Sequence, residues 1–129
     1  MEIDKPEIVA EMQAVFDRYE KALIANDVAA LDEMFLPAAT TVRYGIGENL
    51  YGIEAIRAYR QSLPPAPLPE RELRQTVITT YGEDFATAST LFYRDGDPGK
   101  VGRQTQSWVR MPAGWRVVAA HVSMIDEPA

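Results

Sequence analysis

The apolar positions near the start of the chain recur at helical spacing. Ile8, Met12, Val15, Phe16, Tyr19, Leu23 and Ile24 form one stripe, while Glu11, Asp17, Arg18, Glu20 and Lys21 take the other side. Asp4 is the predicted N-cap, Glu7 stands at the capping-box position, and Pro6 falls in the first turn, where its missing N–H costs nothing. Asn26 is a good helix stop. Asp27 then caps a short second helix over Val28–Phe35, whose apolar positions are Val28, Leu31, Met34 and Phe35, and Pro37 blocks its continuation. Ile53, Ile56, Tyr59 and Leu63 predict a third helix, opened by Gly52 and ended by Pro64-Pro-Ala-Pro-Leu-Pro69. That Pro-rich piece is too short for a domain linker and reads as a stiff connection.

Between the second and third helices the period drops to two. Thr40–Tyr44 reads as a strand carrying Arg43, followed by a tight Gly45/Gly47 turn and a short return. After the prolines the chain reads as a meander of four strands, Leu73–Tyr81, Phe85–Arg94, Val101–Met111 and Trp115–Ile125. Gly82-Glu-Asp84, Asp95-Gly-Asp-Pro-Gly99 and Pro112-Ala-Gly114 separate them. The strands are β-branched and aromatic, and acidic residues keep to the turns. Helices first and strands after predict an α+β fold rather than alternating βαβ units. Strands of about ten residues twist and curl, so the expected architecture is N-terminal helices packed in a strongly curved, mostly antiparallel sheet, a cone with a central cavity. One such domain is expected over 1–129.

Composition narrows the function classes. The chain has 129 residues, 47% hydrophobic and 25% charged, which is ordinary globular usage and enough for one core. A net charge of −6 argues against nucleic acid, which calls for a basic face. No apolar run approaches membrane-spanning length, the opening Met-Glu-Ile-Asp-Lys-Pro lacks a signal-type apolar core, and cysteine is absent. A cytoplasmic protein with no membrane association is expected. Of the 13 basic residues ten are arginine and three lysine, a bias that matters where an arginine must lie indoors, because its planar fork matches carboxylates.

Arg43 is such a residue. A guanidinium in a β-branched strand is expensive to bury without an anion, so it meets either a substrate carboxylate or an acid of the chain, with Glu48 and Glu54 as candidates. Tyr19 lies on the apolar stripe of the first helix. It is either a core tyrosine or, if the helix lies across the sheet, a phenol facing the same cavity as Arg43, where a nearby cation makes it a better proton donor. Arg103 shares a polar row with Thr105 and Ser107, which suits a ligand, a solvated face or a dimer interface. His121, the single histidine, alternates with Trp115, Val117, Ala119 and Ser123. One histidine and no cysteine exclude a His-cluster metal site, and no glycine-rich turn matches a phosphate-binding or dinucleotide fingerprint. No cofactor or metal is expected.

Several segments together resemble the AtzH-like family, also met as HpxZ-like proteins, within the SnoaL-like (nuclear-transport-factor-like) cone-fold superfamily. They are Arg18-Tyr-Glu20 with Ala25-Asn-Asp27, Thr41-Val-Arg-Tyr-Gly45 with Glu48-Asn-Leu-Tyr-Gly52, and Gln75–Gly82 with Phe85–Ala88. Pro98–Gln104 and Gly114–Ser123 complete the set. The resemblance implies an amidohydrolase-type decarboxylation of a small N-carboxylated urea, 1,3-dicarboxyurea, to allophanate in the breakdown of cyanuric acid and related nitrogen compounds. It implies Tyr19 and Arg43 as the catalytic residues. Arg103, His121 and Asn49 are the expected substrate-binding candidates. It also implies a link to an amidase of the AtzE type and its small companion AtzG. That leaves open a non-catalytic partner role, and the HpxZ-like branch implies an oxalurate or purine-breakdown role as another alternative. A homodimer is expected, because an open sheet leaves an apolar back face.

Overall fold

A computed structural model describes residues 1–128. Helix α1 spans Pro6–Ala25 and buries Ile8, Met12, Val15, Phe16, Tyr19 and Ala22, whereas Leu23 and Ile24, also predicted on the stripe, are only half-buried. Its N-terminus differs from expectation. Lys5 is the N-cap and offers no side-chain cap, because Asp4 adopts a left-handed φ of 58° and turns toward the sheet. There the Asp4 carboxylate accepts from the Thr80 backbone N–H at 3.0 Å, and the Asp4 N–H donates to the Thr80 carbonyl at 2.9 Å. Two bonds to a strand outcompete one cap. At the other end Asn26 closes the helix in the left-handed conformation, as anticipated.

The Asp27 side chain accepts from the Ala30 N–H at 3.1 Å and so caps α2, Val28–Glu33. This helix is shorter than predicted. The Val117 N–H donates to the Met34 carbonyl and the Leu36 N–H to the Val117 carbonyl, so the backbone around Phe35 bridges to a strand instead of continuing the helix. Next come β1 (Val42–Tyr44), β2 (Asn49–Tyr51) and α3 (Ile53–Ser62), then β3 (Glu72–Tyr81), β4 (Phe85–Tyr93), β5 (Lys100–Met111) and β6 (Gly114–Asp126). Gly52, at φ 86°, makes the corner between β2 and α3.

The strands form one mixed six-stranded sheet in the order β2-β1-β6-β5-β4-β3. Neighbouring strands pair antiparallel except β1 and β6, which run parallel with Arg43 opposite Ala120. The expected cone is therefore corrected. The sheet is open, with β2 and β3 as unjoined edges, rather than a strongly curled sheet closing on a central cavity. The chain from Thr40 to Gly52 adds only two strands of three residues before turning into α3, too little strand to wrap the sheet round to β3. The helices cover one face, where Trp108, Phe35, Met12, Leu31 and Ile56 are fully enclosed. Among the described residues no helix is long and apolar enough to cross a membrane.

One irregularity sets which side chains face the helices. Along β5, Gln104, Gln106 and Trp108 are buried in strict alternation. On β6 the register shifts: Ser107 pairs with Ala119 but Trp108 with Val117, leaving Val118 as an extra, unpaired residue. Trp115 and Val117 are buried before this bulge and Ala120 after it. The inward phase changes from odd to even numbers, and everything beyond changes face.

Gly102 is opposite Phe92 in the ladder, and its missing side chain is what the Phe92 ring occupies: a Cβ there would lie 2.0 Å from the ring. Gly102→Ala should destabilise the fold by about 1–3 kcal/mol through overpacking, read as a lower denaturation midpoint at unchanged m-value. Unchanged stability would mean that the Phe92 ring is free to move aside.

Candidate functional site

Between α1, α3, the Pro-rich connection and the helix-facing side of the sheet lies a pocket of about 290 Å³. Tyr19 comes to it from α1 and Arg43 from β1. Tyr19 is 4% exposed, with its ring edge-on to Trp108 at 5.8 Å and tilted against Phe35 at 6.4 Å. The Pro-rich segment supplies part of the wall with Leu68 and Pro69. It is tied to the end of α1, since the Leu68 N–H donates to the Ile24 carbonyl at 3.0 Å and the Asn26 amide to the Pro64 carbonyl at 3.2 Å.

Arg43 meets an acid of the chain. Its Nη1 donates to Glu48 Oε1 at 2.7 Å, in a pair whose side chains are 16% and 19% exposed. The other carboxylate oxygen accepts from the Gly47 N–H at 3.2 Å. Gly45 makes the pair possible: a Cβ at that position would fall on the Glu48 carboxylate, at 1.7 Å from Oε1. The guanidinium also lies over the Tyr59 ring, 5.6 Å from its centre. Burial raises the Tyr59 phenol above its ordinary pKa, and the Glu48 carboxylate adds to this while Arg43 opposes it. Tyr59 therefore stays neutral beside the pair.

Three more guanidiniums line the same pocket: Arg60 of α3, Arg71 before β3, and Arg94 after β4. Arg71 makes a two-pronged bond to Glu20, at 2.8 and 2.6 Å, and also donates to Gln104 Oε1 at 3.0 Å. Arg94 donates to Asp97 at 2.8 Å. Both lie over Phe92, at 4.5 and 5.3 Å. Arg60 is different. It is 8% exposed, lies over Phe35 at 5.2 Å, and its Nε and Nη2 find no hydrogen-bond partner among the described residues. The Gln104 amide nitrogen is likewise buried and unpartnered. Four guanidiniums thus gather against three carboxylates, in a chain whose net charge is −6. Among the described residues no cluster of three metal-ligating side chains occurs.

The other sequence candidates lie elsewhere. Arg103 is exposed and donates to Ser123 Oγ at 3.2 Å, in a groove with Gln75, Val77 and Thr105. His121 and Asn49 line a second depression, with Tyr44 edge-on to the imidazole at 6.1 Å. The Val118 bulge explains His121. Simple alternation from Trp115 and Val117 would send it inward, but the phase change turns it to the outer face opposite Thr105. Sequence reading overlooked Arg60, Arg71 and Gln104. Arg60 had a legible signal, because it occupies the apolar stripe of α3 between Ile56 and Leu63. Arg71 had none beyond the general excess of arginine, and Gln104 had only its place two and four residues before Gln106 and Trp108 on one strand face.

The helices over one face of an open mixed sheet, with a cationic pocket between them, define an α+β protein of the nuclear-transport-factor-like fold. A nuclear transport factor 2-like superfamily protein from Salmonella enterica serovar Typhimurium matches at a TM-score of 0.73 and 20% identity, over 95% of this chain and 94% of that one, a likeness of fold. The family model described as AtzH-like matches residues 1–128. The chain belongs to the AtzH-like family. A DUF3225-family protein of unknown function from Pectobacterium atrosepticum is 59% identical, covering 96% of this chain and 95% of that one, at a TM-score of 0.91. A cystatin-like fold protein from Burkholderia xenovorans is 50% identical over 99% of each chain, at a TM-score of 0.94. No curated protein sequence matches the chain.

Arg43→Gln removes the cation that the half-buried Glu48 carboxylate holds, so it should cost about 1–3 kcal/mol of stability. The double variant Arg43→Gln/Glu48→Gln should recover most of that loss in a double-mutant cycle. Additive losses would mean that the two side chains are not coupled.

Proposed function

We propose that this chain is a cofactor-independent enzyme that removes one carboxylate from a small N-carboxylated urea, converting 1,3-dicarboxyurea to allophanate. The observation that carries the reading is that Tyr19 and Arg43 line one small pocket in which guanidiniums outnumber carboxylates. Such a pocket favours a compact anion, and 290 Å³ leaves room for a molecule of ten heavy atoms.

The reaction asks little of a protein. The bond between the urea nitrogen and one carboxylate carbon breaks, its electron pair stays on nitrogen, carbon dioxide leaves, and nitrogen takes one proton. Neither water nor redox equivalents are consumed. Two contributions suffice: holding the scissile bond in a reactive orientation, and delivering the proton as charge builds on nitrogen. Arg43 supplies the first by gripping the departing carboxylate. Its attachment to Glu48 helps, because a partly neutralised guanidinium orients that group without strongly stabilising a charge that must vanish as carbon dioxide forms. Tyr19 supplies the proton. Its ring is fixed by Trp108 and Phe35, so the phenol is held in place without being the source of the packing.

Tyr19→Phe keeps those ring contacts and removes the donor. Turnover of 1,3-dicarboxyurea above its spontaneous decay should fall by about 10²–10⁴-fold, with the melting temperature little changed. Turnover at the parent rate would remove the phenol from the mechanism, and loss of the fold would make Tyr19 a core residue.

A further inference from the structure

Arg60 is the one guanidinium of the pocket for which no carboxylate partner is found among the described residues. Burying an unpaired charge is costly, and unmatched buried donors add to that cost. The unpartnered nitrogens here are Arg60 Nε and Nη2 and Gln104 Nε2, and each is a donor. Both residues are more than nine-tenths buried and both line the Tyr19–Arg43 pocket. Three unmet donors and no unmet acceptor among these two side chains call for an anionic acceptor. Protein groups keep the arrangement rigid. Phe35 lies under the Arg60 guanidinium, and Gln104 is held by its oxygen, which accepts from Arg71. That bond fixes the amide's orientation and leaves its nitrogen as the free end.

We propose that Arg60 and Gln104 form a second carboxylate seat that makes the pocket selective for dicarboxylates over monocarboxylates. This rests on the decarboxylation reading and assigns the two ends of the substrate. Arg43, already tied to Glu48, faces the carboxylate that leaves. Arg60, uncompensated, holds the carboxylate that keeps its charge in the product. The stronger grip then falls where ground state and transition state carry the same charge, and the weaker grip where charge is lost. Arg60 and Gln104 are specificity-determining residues in this scheme.

Glutarate places three atoms between its carboxylates, as 1,3-dicarboxyurea does, and does not react. Butyrate is the same chain with one carboxylate removed. Calorimetry on the intact protein should show glutarate binding at least about tenfold more tightly than butyrate, as expected for one further charged hydrogen-bonded contact. Arg60→Gln should abolish the preference, leaving glutarate and butyrate to bind equally and more weakly through Arg43 alone. Persistence of the preference in folded Arg60→Gln would overturn the proposal. So would equal binding by the parent protein, a result that leaves the Tyr19–Arg43 reading to stand on its own turnover assay. Should Arg60→Gln fail to fold, Gln104→Glu decides. It keeps an oxygen for Arg71 but replaces the free donor by a carboxylate, so the glutarate preference should vanish, and its survival would overturn the seat.

Discussion

Placing four guanidiniums around one small pocket is the constraint on which the rest of this molecule depends. Like charges repel, and Arg43, Arg60 and Arg71 are largely stripped of water as well. The chain meets this in two ways at once. Each guanidinium lies over an aromatic ring: Arg43 over Tyr59, Arg60 over Phe35, and Arg71 and Arg94 over Phe92. Three of the four also hold a carboxylate, from Glu48, Glu20 and Asp97. Much of the surrounding architecture serves these contacts. Gly102 gives Phe92 its space, Gly45 gives Glu48 its space, and the bridge from Met34 and Leu36 to Val117 holds Phe35 in place.

The unequal pairing is what turns a cationic cluster into a candidate site. A fully paired set would be a structural network with no affinity left for a ligand. Here one guanidinium and one amide nitrogen remain unmatched, beside a tyrosine whose ring is fixed by packing. For a dianion that loses one charge on reacting, an uneven distribution is the useful one, because uniform grip on both ends would stabilise the substrate as much as the transition state.

Much of the fold was legible in the sequence because periodicity reports burial directly. The stripe from Ile8 to Tyr19 and the four long strands follow from it. The misreadings share a cause: bonds between segments distant in sequence overrode local preference. Asp4 gave up its cap for Thr80, and α2 stopped where Val117 engaged Met34 and Leu36. The sheet's closure was misjudged because β1 joins β6 in parallel and leaves both edges open, which no local pattern announces. In the site, Tyr19 and Arg43 could be named because each obeys an unbroken period. His121 could not be placed, since one extra residue at Val118 reverses the phase between Val117 and Ala120. Arg60 was legible on the apolar stripe of α3 but was passed over, because a charged group on such a stripe is normally read as a boundary.

A crystal structure of the protein grown with glutarate tests the central claim most directly, because it locates the anion without relying on turnover. The account predicts one glutarate in the pocket, with one carboxylate against Arg43, the other against Arg60 and the Gln104 amide, and the Tyr19 hydroxyl beside the chain between them. Glutarate ordered only on the outer face, at Arg103 or His121, with the pocket arginines unchanged, would contradict it.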